Sequence, residues 1–66
     1  MSKQDYDACI QILVAYRKKW MSYDKELYDA THPIFRENTP QLKANKILID
    51  ELDEIISHVI RVRDTL

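Results

Sequence analysis

Helix-breaking residues are confined to one short window of this 66-residue chain. Glycine is absent, and the two prolines, Pro33 and Pro40, lie close together near the middle. Because proline disrupts a helix interior, long helices are permitted on both sides of this window but not across it. We therefore predict a single all-α domain over residues 1–66, an antiparallel two-helix hairpin. Its helices span about residues 3–31 and 40–65, and its loop spans about residues 32–39.

Residues that favour helix starts precede both predicted helices. Ser2 and Asp5 have the spacing of a capping box, in which a hydroxyl and a carboxylate each accept a hydrogen bond from a free backbone N–H group. Thr39 and Pro40 suit the N-cap and the first helical position, where no N–H group is needed. These signals predict where the two helices begin.

Apolar residues recur in alternating steps of three and four along both predicted helices. This heptad spacing is typical of coiled-coil-like contacts between helices. It predicts a contact seam between the two helices, with Asn45 as its polar member. The seam residues are Tyr6, Cys9, Leu13, Tyr16, Trp20, Tyr23 and Leu27 in the first helix, and Leu48, Leu52, Ile55, Val59, Val62 and Leu66 in the second.

Charged residues beside this seam indicate how the helices align. With a short turn, the basic run at residues 17–19 lies opposite the acidic run at residues 50–54. This register brings Arg17 near Asp53, sets Lys19 against Glu51, and places Asp5 and Asp7 near Arg61 and Arg63. It also sets Tyr23 opposite Asn45, where the tyrosine hydroxyl can supply a hydrogen bond.

The predicted seam leaves a second set of apolar residues without a partner. Contiguous exposed apolar surface usually marks an interaction site, so we predict that this set is an interface. The favoured occupant is a second copy, giving a homodimeric four-helix bundle; the alternative is a groove on a larger protein. The predicted interface residues are Ile10, Val14, Met21, Tyr28, Leu42, Ile49, Ile56 and Ile60.

Two apolar residues, Ile34 and Phe35, occupy the predicted loop, where polar residues are usual. Two interpretations are open. The pair either covers the end of the bundle or projects as an anchor for a partner.

Chemical sites are not indicated by the sequence. Cys9 lies on the predicted seam, where a small buried hydrophobe is the expected role. His58 follows Glu54 by one helical turn, which is typical of a solvated ion pair. We predict no catalytic residue, metal site, cofactor or small-molecule substrate, and hence no enzyme.

The environment of the chain is predicted from composition and hydropathy. A single cysteine favours a reducing compartment, and no apolar run approaches the ~20 residues that cross a bilayer. The formal net charge is -1, so no overall field attracts nucleic acid or an acidic membrane. We expect a soluble, cytoplasmic protein that does not bind membranes.

One segment resembles a known catalytic motif. Glu51, Leu52 and Asp53 look like part of the Ser-Gln-Glu-Leu-Asp motif of small hairpin phosphatases that act on sporulation response regulators. Ile49 and Asp50 replace the serine and glutamine of that motif. The resemblance implies a phosphatase that depends on Asp53 and Glu51.

A second resemblance concerns size and the first residues. The chain length, with Lys3 and Gln4 after a small hydroxyl residue, resembles the Rop-type RNA-binding proteins, which are dimers of helical hairpins. It implies salt-sensitive RNA binding through Arg17, Lys18 and Lys25. Because Trp20 is assigned to the seam, where it cannot stack on a base, nucleic-acid binding is the less favoured partner class.

The function that the sequence favours is therefore a small non-enzymatic protein-interaction module. It would act as a regulator, inhibitor or co-chaperone by docking an apolar helical face on a macromolecular partner. A Rop-like RNA-binding regulator and a hairpin phosphatase are the alternatives.

Overall fold

The structure is a computed structural model that describes residues 2–66, and its elements are two long helices joined by a short one. Helix α1 spans Lys3–Ala30, a 3-10 helix spans Pro33–Asn38, and helix α2 spans Pro40–Asp64. Helices α1 and α2 pack against each other along their lengths. The predicted all-α hairpin is confirmed at this level.

The two helix starts follow the predicted signals in different ways. The Ser2–Asp5 capping box is present: Asp5 N donates to Ser2 Oγ at 3.3 Å, and Ser2 N donates to Asp5 Oδ2 at 3.0 Å. Thr39 is the N-cap of α2 and Pro40 its first residue, but the Thr39 side chain does not cap the helix. Its hydroxyl donates to the carbonyl oxygen of Phe35 at 2.6 Å instead, so it fastens α2 to the connection.

The connection is more ordered than the predicted loop. His32 caps the 3-10 helix, because its Nδ1 accepts a hydrogen bond from the backbone N–H of Ile34 at 3.2 Å. The N–H of Phe35 donates to the His32 carbonyl oxygen at 2.8 Å. Such short 3-10 helices are common connectors. The loop prediction is corrected here, since most of residues 32–39 are helical.

Two ion pairs fix the register between α1 and α2. Arg17 Nε lies 2.5 Å from Asp53 Oδ1, and Arg63 Nη1 lies 2.9 Å from Asp7 Oδ1. Both pairs were predicted from the charge pattern. Arg63 donates hydrogen bonds to Asp7 and Asp64, and these bonds raise the pKa of Arg63 above its ordinary value, with Asp7 as the larger cause. Partly exposed pairs of this kind contribute little to stability, so they select the register more than they stabilise the fold.

The observed contact stripe, meaning the buried and half-buried residues through which α1 and α2 meet, differs from the predicted seam. Tyr16, Tyr23 and Ile55 were predicted to lie in the seam, yet they are 49%, 47% and 46% exposed. Each helix is rotated by about half a residue position, roughly 50°, which brings Arg17 into the contact in place of Tyr16 and keeps Leu13 and Trp20 there. The stripe comprises Tyr6, Ile10, Leu13, Arg17, Trp20, Asp24 and Leu27 in α1, and Leu42, Asn45, Ile49, Leu52, Ile56, Val59 and Arg63 in α2.

The interior of the hairpin is very small. Only Leu42 and Leu52 are buried apolar residues among those described, at 9% and 6% exposure, and Asn45 is the buried polar residue at 3%. Asn45 Oδ1 accepts a hydrogen bond from Gln41 Nε2 at 2.7 Å, so the predicted pairing with Tyr23 is corrected. The molecule is a rod of 49 × 15 × 11 Å.

Candidate interaction surfaces

The contact stripe divides the hairpin surface into two long faces. In each helix, a residue that comes directly after a stripe residue in the sequence lies on one side of the stripe, and a residue that comes directly before one lies on the other side. Because the helices are antiparallel, the residues that come after stripe positions in α1 and in α2 lie on the same face of the hairpin. The residues that come before stripe positions share the opposite face. The two ion pairs agree with this division, since Asp7 and Asp53 both follow stripe residues, Tyr6 and Leu52.

We call the face formed by residues directly after stripe positions the ion-pair face, and the face formed by residues directly before stripe positions the tyrosine face. The ion-pair face carries Val14, Met21, Tyr28 and Ile60, together with the Arg17–Asp53 and Arg63–Asp7 pairs. The tyrosine face carries Ile12, Tyr16, Tyr23, Leu48, Ile55 and Val62.

Arginine side chains cover the larger apolar residues of the ion-pair face. Arg17 Nη1 lies 3.0 Å from the sulfur of Met21 while the same guanidinium pairs with Asp53. Arg36 places its guanidinium carbon 4.0 Å from the centre of the Tyr28 ring, and its Nε donates to the Tyr28 carbonyl oxygen at 3.0 Å. Such stacking is worth about 0.5 to 1 kcal/mol at an exposed site. Met21 and Tyr28, the two larger apolar residues of this face, therefore already have charged partners.

Aromatic rings form a cluster beside the tyrosine face. The rings of Tyr16 and Trp20 are stacked with centroids 6.3 Å apart, and the rings of Trp20 and Tyr23 meet edge to face at 5.9 Å. Ile12 is 69% exposed on the same face, and Ile55 is 46% exposed across from it on α2. Within residues 2–66, no ion pair spans this face from α1 to α2. Its exposed apolar surface has no cover within the hairpin.

The predicted interface residues fall into three groups. Val14, Met21 and Tyr28 are exposed, as an interface with a partner requires. Leu42 is buried within the hairpin, so its assignment to the outer surface is corrected. The remaining residues are half-buried: Ile10, Ile49 and Ile56 lie in the contact stripe, and Ile60 lies at its edge.

The tip of the hairpin presents Ile34 and Phe35 to solvent. They are 72% and 62% exposed, and the Phe35 ring meets the His32 imidazole edge to face at 6.0 Å. Arg36 Nε donates to the Thr31 carbonyl oxygen at 3.1 Å, which ties the 3-10 helix to the end of α1. Hydrogen bonds therefore hold the backbone of both residues, although neither side chain is buried.

An open cleft lies near the tip on the ion-pair face. Leu42 and Ile49 contribute apolar wall, while Asp24, Lys46 and Asp50 line it with charges of both signs. Ligand pockets are usually lined mostly by apolar groups with few charges, so this cleft does not suggest a small-molecule site.

Groups needed by the alternative functions are committed to the fold. The phosphatase interpretation requires Asp53 and the RNA-binding interpretation requires Arg17, and these two side chains pair with each other. Lys18 and Lys25 are exposed on α1, and Cys9 is half-buried. Among residues 2–66, no group of three or more histidine, cysteine, aspartate or glutamate side chains lies close enough together to hold a metal ion.

Comparison with known proteins gives no relative for this chain. Searches against protein-family models, curated proteins and solved structures found no match. Across the described residues, neither α1 nor α2 combines the length and apolar character that crossing a membrane requires. We therefore infer function from the surfaces of the hairpin.

The tyrosine face was not predicted as a separate surface. Tyr16, Tyr23 and Ile55 were predicted to lie in the contact between the helices because their spacing fits a seam. A usable signal was present: the predicted approach of Arg17 to Asp53 requires Arg17 near the contact, which turns Tyr16 outward.

Proposed function

We propose that this chain is a non-enzymatic protein-interaction module whose first partner is a second copy of itself. Two hairpins pair into a four-helix bundle, and the bundle then contacts a larger protein as a regulator or inhibitor. The observation that carries this proposal is the amount of surface that one hairpin leaves in water.

The accessible surface of one chain is larger than a compact monomer of its mass requires. It measures 5224 Å², whereas a folded monomer of 7.9 kDa is expected to expose about 4,400 Å². The difference is about 800 Å², which matches the area that one partner contributes to a standard protein interface. The radius of gyration is 15.1 Å, against about 11 Å for a compact chain of this length. A second rod laid along the first would cover this excess surface and make a thicker particle, closer in shape to a compact one.

We expect the purified chain to sediment as a dimer at high concentration and to dissociate on dilution. Helix content should fall with dissociation, because the core of one hairpin holds only two buried apolar residues among those described. Sedimentation velocity and far-ultraviolet circular dichroism on the same dilution series measure both effects. A stable, fully helical monomer at all concentrations contradicts the proposal.

Contact with a larger protein is assigned to the tip. Ile34 and Phe35 are apolar, exposed and held by the hydrogen bonds of the 3-10 helix, so presenting them to an apolar pocket costs little ordering entropy. Residues of this kind are frequent anchors in interfaces.

The double variant Ile34→Asp, Phe35→Asp is expected to keep the helix content and oligomeric state of the parent chain and to lose its larger partner. Positions 34 and 35 are exposed, so aspartates there stay in water within the chain. An apolar pocket of a partner would have to bury these charges, which is costly. Affinity capture with tagged parent and variant chains, compared band by band, is the measurement. A partner held equally by both chains shows that the tip is not the anchor, and an empty capture counts against the regulatory role.

A further inference from the structure

We propose that two copies pair through the tyrosine face, about a two-fold axis parallel to the helices, so that both tips lie at the same end of the bundle. This inference deepens the proposed function and rests on its dimer. It names the surface, the orientation and a consequence for the tips.

The choice of face follows from the cost of removing charges from water. Covering the ion-pair face would desolvate Arg17, which pairs with Asp53 and contacts Met21, and Arg36, which lies over Tyr28. The desolvation of a charge is not fully repaid by its ion pair, so burial of this face is costly. Covering the tyrosine face removes mainly Ile12, Ile55 and the two tyrosine rings from water. Tyrosine suits such a surface because its hydroxyl can stay hydrated at the rim.

The orientation follows from the charges at the edges of the tyrosine face. Lys19 and Glu51 precede Trp20 and Leu52 of the contact stripe, so both lie on this side of the hairpin. The register set by the ion pairs places them at the same height, near the middle of the rod. A two-fold axis parallel to the helices lays α1 of one copy over α2 of the other at equal height. Lys19 of each copy then faces Glu51 of the other, and opposite charges meet twice.

The other two-fold arrangement places like charges together. An axis perpendicular to the helices lays α2 over α2 with the direction reversed, which brings Glu51 against its own copy near the middle of the rod. Because Lys19 lies at the same height as Glu51, this axis also brings Lys19 against its own copy. Juxtaposed like charges are destabilising, so this arrangement is disfavoured.

A consequence of the favoured axis is a doubled tip. Ile34 and Phe35 of the two copies lie at one end, and the chain termini lie at the other. The bundle then presents two identical apolar anchors side by side, which favours a partner with two matching sites through effective concentration.

The face is tested by a matched pair of glutamate substitutions. Ile55 on the tyrosine face and Val14 on the ion-pair face are equally exposed, at 46% each, so they form a matched pair within the single hairpin. We expect Ile55→Glu to weaken dimerisation at least about 30-fold, as at an interface hot spot, and Val14→Glu to change it less than about threefold. Sedimentation velocity gives both dissociation constants. Equal weakening by the two variants, or the reverse order, overturns the assignment of the face.

Trp20 fluorescence tests the same point without a substitution. Trp20 is the only tryptophan, and it contacts Tyr16 and Tyr23 on the proposed interface. We expect its emission to shift to longer wavelength over the concentrations at which the dimer dissociates. An emission maximum that stays constant through dissociation overturns the assignment, even if Ile55→Glu fails to fold.

The orientation is tested by the distance between two spin labels. Asn38 is exposed at the end of the 3-10 helix, so Asn38→Cys in a Cys9→Ala background carries one label per copy. Labels at the same end should lie within about two helix diameters, roughly 20 to 25 Å. Labels at opposite ends would approach the 49 Å length of the rod. A long distance in pulsed dipolar measurements overturns the parallel axis while leaving the dimer intact.

The outcomes separate this inference from the proposed function. A parent chain that is monomeric at every concentration removes both. A dimer that resists Ile55→Glu, or a dimer with distant tips, keeps the proposed function and removes the inference.

Discussion

Leu52→Ala is expected to lower the free energy of unfolding by about 2 to 5 kcal/mol. Leu52 is the most deeply buried apolar side chain among those described, at 6% exposure, and it lies next to the ion pair of Arg17 with Asp53. A chain of this size has a total stability of only about 3 to 5 kcal/mol from one core. The variant should therefore be largely unfolded at room temperature.

Urea denaturation followed by circular dichroism at a fixed protein concentration measures this loss. Ile47→Ala is the matched control, because Ile47 lies in the same helix and is 63% exposed. We expect the control to change stability by no more than about 0.5 kcal/mol. Similar losses in both variants would mean that α2 contacts α1 through a different side.

The fold could be predicted because its strongest signals are local or electrostatic. Without glycine, and with Pro33 and Pro40 on either side of a short connection, the chain has only one place to turn. The Ser2–Asp5 capping box depends only on neighbouring residues and forms as predicted. The register between helices follows from charges on two short runs, and Arg17 meets Asp53 accordingly.

The rotation of the helices could not be predicted from spacing alone. Arg17 and Asp24 are separated by one heptad, as are Tyr16 and Tyr23, so two adjacent stripes fit the same period. Hydrophobicity favours the tyrosines in the contact, whereas the observed hairpin half-buries Arg17 and Asp24. Long side chains such as arginine can bury their aliphatic part and keep the charge at the edge. A hairpin with two helices therefore does not need its most apolar stripe inside.

This rotation links the sequence to the proposed function. If the tyrosines filled the contact between α1 and α2, the single hairpin would bury their rings, and the face that now carries them would be more polar. With the tyrosines outside, the apolar residues that the heptad pattern supplies are divided between the contact within the chain and the exposed face that we propose pairs with a second copy. Under this proposal, the same period in the sequence serves both levels of assembly.

The tip was harder to interpret because its order depends on side-chain contacts. The imidazole of His32 as a cap, and Arg36 over Tyr28, have no simple periodic signal. Only the apolar character of Ile34 and Phe35 could be read from the sequence, and both are exposed in the structure.

Trp20 offers a test in which a conservative replacement and truncation should differ sharply. Its indole Nε1 is buried and has no hydrogen-bond partner among residues 2–66, while its ring contacts Tyr16 and Tyr23. An unpaired buried donor costs about 1 to 3 kcal/mol. Trp20→Phe removes this donor and keeps an aromatic ring, so the lost contact area is offset and stability should change by less than about 1 kcal/mol. Trp20→Ala removes the ring as well and should cost about 3 to 5 kcal/mol.

Thermal and urea unfolding followed by circular dichroism compares the two Trp20 variants, since neither retains tryptophan fluorescence. Tyr23→Phe is a useful control, because Tyr23 is 47% exposed and the change removes a hydroxyl without removing the ring. Should Trp20→Phe prove as damaging as Trp20→Ala, the indole N–H must have a partner in solution. In a dimer formed through the tyrosine face, an acceptor from the second copy would be the first place to look, because Trp20 adjoins that face while the ion pairs lie on the other.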